Sequence, residues 1–323
     1  MRGTAVSFKV LITGAGGYIG SNAAEFFVKQ GCAVTGMVRE RVAERFAQSG
    51  ATAVKADLCD FASLDRLFEQ PFDHVIHIAA RASDVGRDEW FRIPNFEAVK
   101  HLAELSMKHS VKRFVYLSTA DVYGLHDFHG ETEEELTFDH QVKNPYPKYK
   151  IRSEEWLKEN LPPDRFACVR PCVVYGNGDT TITPRAIAFL KSSPFVIHFG
   201  KWHGKNRWPL AHVENVCKTL YGAMILPQAG GHGATVLDSR YTTLSQYYRD
   251  LAAKHLPDKV VREITLPRAV ILPLAVLSSS LSKDRPLFDP TLYALDTITH
   301  DLDFSNRRML QWLTLCGFRE TVS

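Results

Sequence analysis

Long hydrophobic runs are missing from this 323-residue chain. Its most apolar window, Ala269 to Leu277, is interrupted by Pro273 and is too short to span a bilayer. That window reads first as a hydrophobic wall for a substrate and second as a surface contact with a membrane. The first six residues, Met1 to Val6, carry one basic residue and no apolar stretch, so no signal peptide is expected there. An excess of one charge sign is also missing: 39 Lys and Arg face 36 Asp and Glu, a formal +3. Such a balance excludes the concentrated basic face of a nucleic-acid binder. Cysteine is sparse and scattered, at positions 32, 59, 168, 172, 217 and 316. None of these pairs has C-x-x-C spacing, and the thirteen histidines complete no zinc pattern, so no metal site is expected. A reducing compartment, the cytoplasm, follows as the expectation.

What is present is alternation. Short β-branched runs begin near Phe8, Ala33, Thr52, His74, Arg113 and Phe166, and amphipathic stretches separate them. Strands and helices at this spacing predict crossover connections and an α/β fold with a parallel sheet covered on both faces. A helix is predicted over 95–109, another over 213–224, and a strand over 235–238. The tail after Thr242 reads as mostly helical, broken at Pro257, Pro267, Pro273, Pro286 and Pro290. We expect residues 1–178, completed by about 213–240, to bind a nucleotide, with 179–212 and 241–323 forming a smaller substrate lobe.

Chemistry begins at Thr13-Gly14-Ala15-Gly16-Gly17-Tyr18-Ile19-Gly20, directly after the first strand and opening a helix. Glycines at 14, 17 and 20 permit a tight turn, close approach to a pyrophosphate and close helix–strand packing. The N–H groups near Tyr18 and Ile19 at the helix start favour an anion. Glycines in an ordinary turn are the plain alternative, but their place on the first strand of an alternating chain argues for a dinucleotide. After the second strand comes Arg39, where a carboxylate would mark NAD. A guanidinium can hold a 2′-phosphate, which puts NADP(H) ahead of NAD(H). Asp57-Leu58 after the third strand suits an adenine edge. Ala79 and Ala80 after the fourth let a ribose and pyrophosphate approach, and His77 reads as a packed residue.

Tyr146-Pro147-Lys148-Tyr149-Lys150 places a phenol and an ammonium four residues apart on one helix face. A tyrosine is a poor base at neutral pH unless a neighbouring cation stabilises its phenolate. Tyr146 can then exchange a proton with a substrate oxygen while hydride moves to or from a nicotinamide. Tyr149 lacks a lysine at the same spacing. Ser118 and Thr119, at the end of the fifth strand, offer a hydroxyl beside that phenol.

Together these motifs resemble the extended short-chain dehydrogenase/reductase family, the NAD-dependent epimerase/dehydratases. The resemblance rests on T-G-x-x-G-x-x-G at 13–20, D-L at 57–58, H-x-A-A at 77–80 and Asn95. It continues with S-T-x-x-V-Y-G at 118–124, Y-x-x-x-K at 146–150 and R-P-x-x-V-Y-G at 170–176, in order over roughly residues 8–225. It implies a Rossmann-type doubly wound sheet. It also implies Tyr146 as acid/base, Lys150 as its electrostatic partner and Thr119, more than Ser118, as the substrate-orienting hydroxyl. Cofactor contacts are implied for Gly14, Gly17, Tyr18, Ile19, Gly20, Arg39, Asp57, Leu58, Ala79, Ala80, Asn95, Ser118 and Pro171. Family members often pair through helices corresponding to 95–109 and 146–159, so a homodimer is expected. Dehydratases of the family place an Asp-Glu pair after the threonine. Ala120 and Asp121 stand here, which weakens that reading.

Three functions remain in order. The first is interconversion of a secondary alcohol and a ketone on a bulky sterol-, polyketide- or flavonoid-like molecule, with Thr119 and Asp121 near the substrate. The second is a nucleotide-sugar epimerase, in which Arg207 would grip a diphosphate. The third is an NADPH-binding sensor without turnover, which the presence of both Tyr146 and Lys150 disfavours.

Overall fold

The computed structural model describes residues 7–40, 44–282, 286 and 289–322. Seven strands form one parallel sheet: β1 (Lys9–Thr13), β2 (Ala33–Val38), β3 (Thr52–Lys55), β4 (His74–His77), β5 (Arg113–Leu117), β6 (Phe166–Pro171) and β7 (Gly233–Val236). Their spatial order is β3-β2-β1-β4-β5-β6-β7. The chain builds outward from β1 to β3, then returns to the other side of β1 with β4. That reversal opens a crevice at the carboxyl ends of β1 and β4, where Thr13 and His77 are register partners.

Helices cover both faces because the central strands are apolar on both. β4 and β5 are buried at every position, the pattern of a parallel sheet rather than of alternating half-exposed strands. Tyr18–Lys29 and Val213–Ile225 pack on one face, burying Ala23, Phe27, Val216 and Leu220. The opposite face takes Leu64, Leu67, Leu102 and Leu157. The segment before Ala98–Lys108 departs from a plain helix: Asp88–Arg92 runs into a wide π turn at Ile93–Glu97. Pro94 lies in that turn and donates no backbone hydrogen bond.

The later segments add a parallel strand pair, Val196–Phe199 with Glu263–Leu266, and the helices Ile182–Ser192, Leu244–His255, Arg268–Leu281 and Leu292–Thr299. Two expectations are corrected. Pro273 does not break the chain; it lies inside Arg268–Leu281. Its ring removes the bond to the carbonyl of Ala269, and both residues are solvent-exposed, so water can satisfy that oxygen. The substrate lobe also does not extend to the C-terminus. Leu302–Phe304 pairs with Phe128–Glu131, and Arg307–Leu315 buries Met309, Trp312 and Leu313 in the core beside β7. Their packing against the same cluster as the central strands makes them part of the sheet's own cover.

Candidate active site

The glycine turn is built tightly. Gly14 has φ +70°, and a Cβ there would sit 2.9 Å from Ala79 Cα. A Cβ on Gly20 would meet Gly14 O at 2.1 Å, so the helix start lies directly on the turn. Gly17 caps the helix without any side-chain hydrogen bond. The N–H groups of Tyr18, Ile19 and Gly20 therefore have no capping side chain, and the positive end of the helix dipole lies open. These features fit a dinucleotide pyrophosphate.

Beneath the turn, Thr13 clamps β1 to β4. Its Oγ1 accepts the N–H groups of Ile78 and Ala79, each at 3.1 Å, and lies 2.9 Å from His77 Nδ1. With two donors already on the oxygen, the Thr13 hydroxyl proton is the one directed at Nδ1. His77 stacks between Phe114 and Tyr116, and burial, followed by the charge of Lys150, lowers its pKa to about 3. It is a packed neutral residue, as its place in the strand suggested. Asn95 is likewise a brace: its Nδ2 donates to Arg81 O at 2.8 Å and its Oδ1 accepts the Arg81 N–H at 2.7 Å. Both ends of the amide hold the loop that carries Ala79 and Ala80.

On the far rim, Arg39 is exposed just after β2. Asp57 and Leu58 follow β3, whose Lys55 pairs with Val38, so the three residues share one edge of the crevice. Asp57 Oδ1 accepts the Cys59 N–H at 2.8 Å, shaping that corner.

Tyr146 and Lys150 lie on Pro145–Asn160, whose first turn is fixed by Asn144. That side chain accepts the Tyr146 N–H at 2.8 Å and donates to Asp84 O at 2.8 Å. Lys150 is only 2% exposed. Its Nζ donates to Leu117 O at 2.5 Å and lies 5.8 Å from the Tyr146 ring centroid. Desolvation lowers its pKa to about 7, opposed by Glu154. The Tyr146 phenol is held well above its usual value by desolvation and then by Asp121, while a hydrogen bond with Thr119 pulls the other way. The rival pair points elsewhere: Tyr149 and Lys148 both bond Asp88, at 2.5 and 2.6 Å.

Thr119 and Asp121 stand together at the end of β5. Thr119 Oγ1 donates to Asp121 Oδ2 at 2.9 Å, and Tyr293 OH donates to the same oxygen. Tyr293 was missed in the sequence. It sits alone in an apolar helix 172 residues from Asp121, with no spacing to mark it. Glu154 was also missed, though its place four residues after Lys150 was a signal. It holds Arg170 in a buried ion pair at 2.6 Å, and Arg170 donates to Tyr123 OH at 2.7 Å. That network joins the V-Y-G segment, β6 and the Tyr146 helix into one rigid unit. Ser118 and Pro171 are fixed within the sheet, Ser118 N–H donating to Val169 O at 2.7 Å and Pro171 paired with Val236.

A cavity of about 550 Å³ adjoins this group. Asp121, Asn144, Pro147 and Tyr293 line it on one side, and Arg268, Leu272, Val276 and Leu292 on the other. Arg207 is not among its lining residues. The Arg207 guanidinium pairs with Asp303 and donates to Asp238 O at 3.2 Å, which turns it away from a diphosphate in that cavity. Among the described residues no cluster of three or more His, Cys, Asp or Glu side chains is arranged for a metal.

Comparisons with known proteins agree with this architecture. The NAD dependent epimerase/dehydratase family model matches residues 10–237. An uncharacterized protein of Escherichia coli, YbjS, is 26% identical over 78% of this chain and 67% of its own length. A 4-hydroxy-2-methyl-3-oxo-4-farnesyl-3,4-dihydroquinoline-1-oxide ketoreductase of Stigmatella aurantiaca is 26% identical over 71% of this chain and 66% of its own length. UDP-arabinose 4-epimerase 1 of Arabidopsis thaliana is 35% identical over 45% of this chain and 38% of its own length. The chain thus spans about two thirds of the first two relatives and well under half of the third. Among solved structures, epimerase Mth375 of Methanothermobacter thermautotrophicus superposes with a TM-score of 0.76 at 20% identity, covering 98% of this chain and 88% of that one. Thermus thermophilus UDP-glucose 4-epimerase, in complex with NAD, gives 0.70 at 21% identity, covering 98% and 94%. With the family model covering most of the sheet and the glycine turn, tyrosine and lysine all in place, the chain belongs to the NAD-dependent epimerase/dehydratase family of extended short-chain dehydrogenases/reductases.

Proposed function

We propose that this protein is an NADP(H)-preferring ketoreductase that interconverts a ketone and a secondary alcohol on a bulky, largely apolar small molecule. The observation that carries the reading is the cavity beside Tyr146, walled by Leu272, Val276 and Leu292 and lacking Arg207. Of the cations that do line it, Arg268 is paired with Asp296 and Lys143 is exposed, so neither stands buried and ready for a sugar diphosphate, and a pocket of this volume suits a compact organic ketone. The bound nicotinamide would supply or accept hydride. Gly14, Gly17 and the first turn at Tyr18–Gly20 would hold its pyrophosphate, and Arg39 the 2′-phosphate.

The protein's own groups then handle the proton. A phenol kept protonated by its surroundings is set to donate, so Tyr146 delivers its proton to the carbonyl oxygen in the reductive direction. Thr119 would donate to the same oxygen once its hydroxyl turns from Asp121 Oδ2 to the bound substrate. Lys150 stabilises the phenolate left behind, and its bond to Leu117 O fixes where its charge sits.

NADPH and NADH oxidation against a panel of alicyclic and long-chain β-keto substrates tests this, with Tyr146→Phe alongside. Turnover that falls at least 10³-fold in the variant supports it. Retention of UDP-sugars with no turnover of any ketone favours the epimerase reading, to which the 35% identity with an epimerase lends weight. NADPH binding with no turnover in either form favours a sensor.

A further inference from the structure

The helix Arg268–Leu281 is apolar on two sides. Its inner side supplies Leu272, Val276 and Ser279 to the cavity and buries Ala275 and Ser278. Its outer side is bare: Val270, Leu274, Leu277 and Leu281 are 58, 50, 46 and 56% exposed. No charged residue occurs between Ala269 and Leu281. Ala269, Pro273 and Val276, the last at the edge of the cavity side, are exposed as well, and at about 100° per residue the exposed apolar positions together span an arc of about 160°. A seam against one partner helix is narrower, two positions per heptad flanked by charges. A broad apolar arc is instead the geometry of a helix lying in a bilayer interface.

Apolar exposure continues in the segment that precedes this helix. Val260 and Ile264 are exposed on the segment that leads into it. Between residues 254 and 268, Glu263 is held by Arg249 and His198, and Arg268 by Asp296. Among the described residues, Lys254, Lys259 and Arg262 have no ion pair, against Asp258 as the one unpaired acid of that stretch. Uncompensated positive charge therefore lies in the segment that leads into the apolar helix, complementary to anionic headgroups.

We propose that the outer face of Arg268–Leu281, with Val260 and Ile264, seats the protein on an anionic bilayer surface. The cavity roofed by the same helix then opens beside the lipid. The helix has 14 residues, and no described helix is long and apolar enough to cross a membrane, so the attachment is peripheral. Binding alone tests it, whatever reaction the site performs.

The experiment is co-sedimentation of the full chain with vesicles of phosphatidylglycerol and phosphatidylethanolamine, and with vesicles of phosphatidylcholine alone. Light scattering and thermal melting are followed in parallel. The protein should partition onto the anionic vesicles, with Leu274→Asp/Leu277→Asp lowering the partition coefficient at least tenfold while melting stays close to wild type. Lys259→Glu/Arg262→Glu, which leaves the apolar face intact, should weaken binding to anionic vesicles several-fold at low salt. Wild-type protein that stays in the supernatant at millimolar lipid overturns the proposal, as does undiminished binding by both variants. A wild-type dimer that Leu274→Asp/Leu277→Asp converts to monomer also overturns it, by assigning the face to a second copy.

Discussion

Tyr293 and Thr119 direct their hydroxyls at one and the same atom, Oδ2 of Asp121. Burial raises the carboxyl's pKa, and these two hydrogen bonds lower it. The charge on Asp121 in turn raises the Tyr146 phenol. Tyr293 thus bears on the protonation of a carboxyl that acts on the Tyr146 phenol, and on the proposed reading it is a positioning residue.

Removing the Tyr293 hydroxyl should therefore move a titration rather than abolish activity. Tyr293→Phe leaves the ring to line the cavity but takes one donor from the carboxylate. A hydrogen bond to a charged group favours the charged form, so the Asp121 pKa should rise further. The acidic limb of the kcat/KM–pH profile should move to higher pH. Superimposable profiles for wild type and variant would show that Asp121 does not titrate in the reaction.

The three glycines of the turn should separate into different failures. Gly20→Ala forces a Cβ to 2.1 Å from a backbone oxygen, with no flexible side chain to yield, so the variant should lose about 3 kcal/mol or more, or fail to fold. Gly17→Ala meets Gly14 O at 3.3 Å, a contact the backbone can relax. It should melt near wild type and yet bind the dinucleotide at least tenfold more weakly, because the methyl occupies the approach to the pyrophosphate. Thermal melting and fluorescence titration distinguish the two, and equal losses of stability would refute the division.

The contrast between local and distant contacts explains what the sequence disclosed. The glycine turn and the Tyr146–Lys150 pair were legible because their geometry is set within one loop or one helical turn. Strands β1, β2, β4, β5 and β6 were legible because a largely buried parallel strand leaves an apolar, β-branched run, whereas β3, an exposed edge strand, was legible from the alternation of the chain around it. Tyr293 was not, because only packing of the later helices brings it to Asp121. Arg207 misled for the same reason: its neighbourhood in sequence suggested an anion, but Asp303, nearly a hundred residues on, already claims it. Trp312 and Met309 were assigned to the wrong body because an amphipathic helix does not state which core it will join.

Arg39 should decide between the two nicotinamide cofactors. Its side chain is exposed at the end of β2, on the rim it shares with Asp57. Arg39→Ser should weaken NADPH at least tenfold, the loss of a charge-assisted contact to phosphate, while NADH affinity stays within about twofold. The NADPH deficit should also shrink at high salt, where screening already weakens the wild-type contact. Equal affinity of the wild type for both cofactors by calorimetry would remove Arg39 from the site.

Lys150 makes the last prediction, on stability rather than rate. Its pKa falls from 10.5 to about 7 in the folded protein because the ammonium is stripped of water. Below pH 7 the lysine is charged in both the folded and unfolded states, and the fold carries the full desolvation cost. Between pH 7 and 10.5 only the unfolded chain holds the proton. Unfolding then takes up a proton, and native stability climbs with pH. Above 10.5 the amine is neutral in both states and the climb ends. Lys150→Met removes the titrating group and leaves Leu117 O without its donor, a loss of about 1 kcal/mol. The variant should therefore gain on wild type at pH 6.5 by up to a few kcal/mol and lose that advantage by pH 9.5. Denaturant melts of the apoprotein at the two pH values measure it. A pH-independent difference between the proteins would mean that the amine keeps its ordinary pKa, and that Lys150 serves Tyr146 as an unstrained, fully charged neighbour.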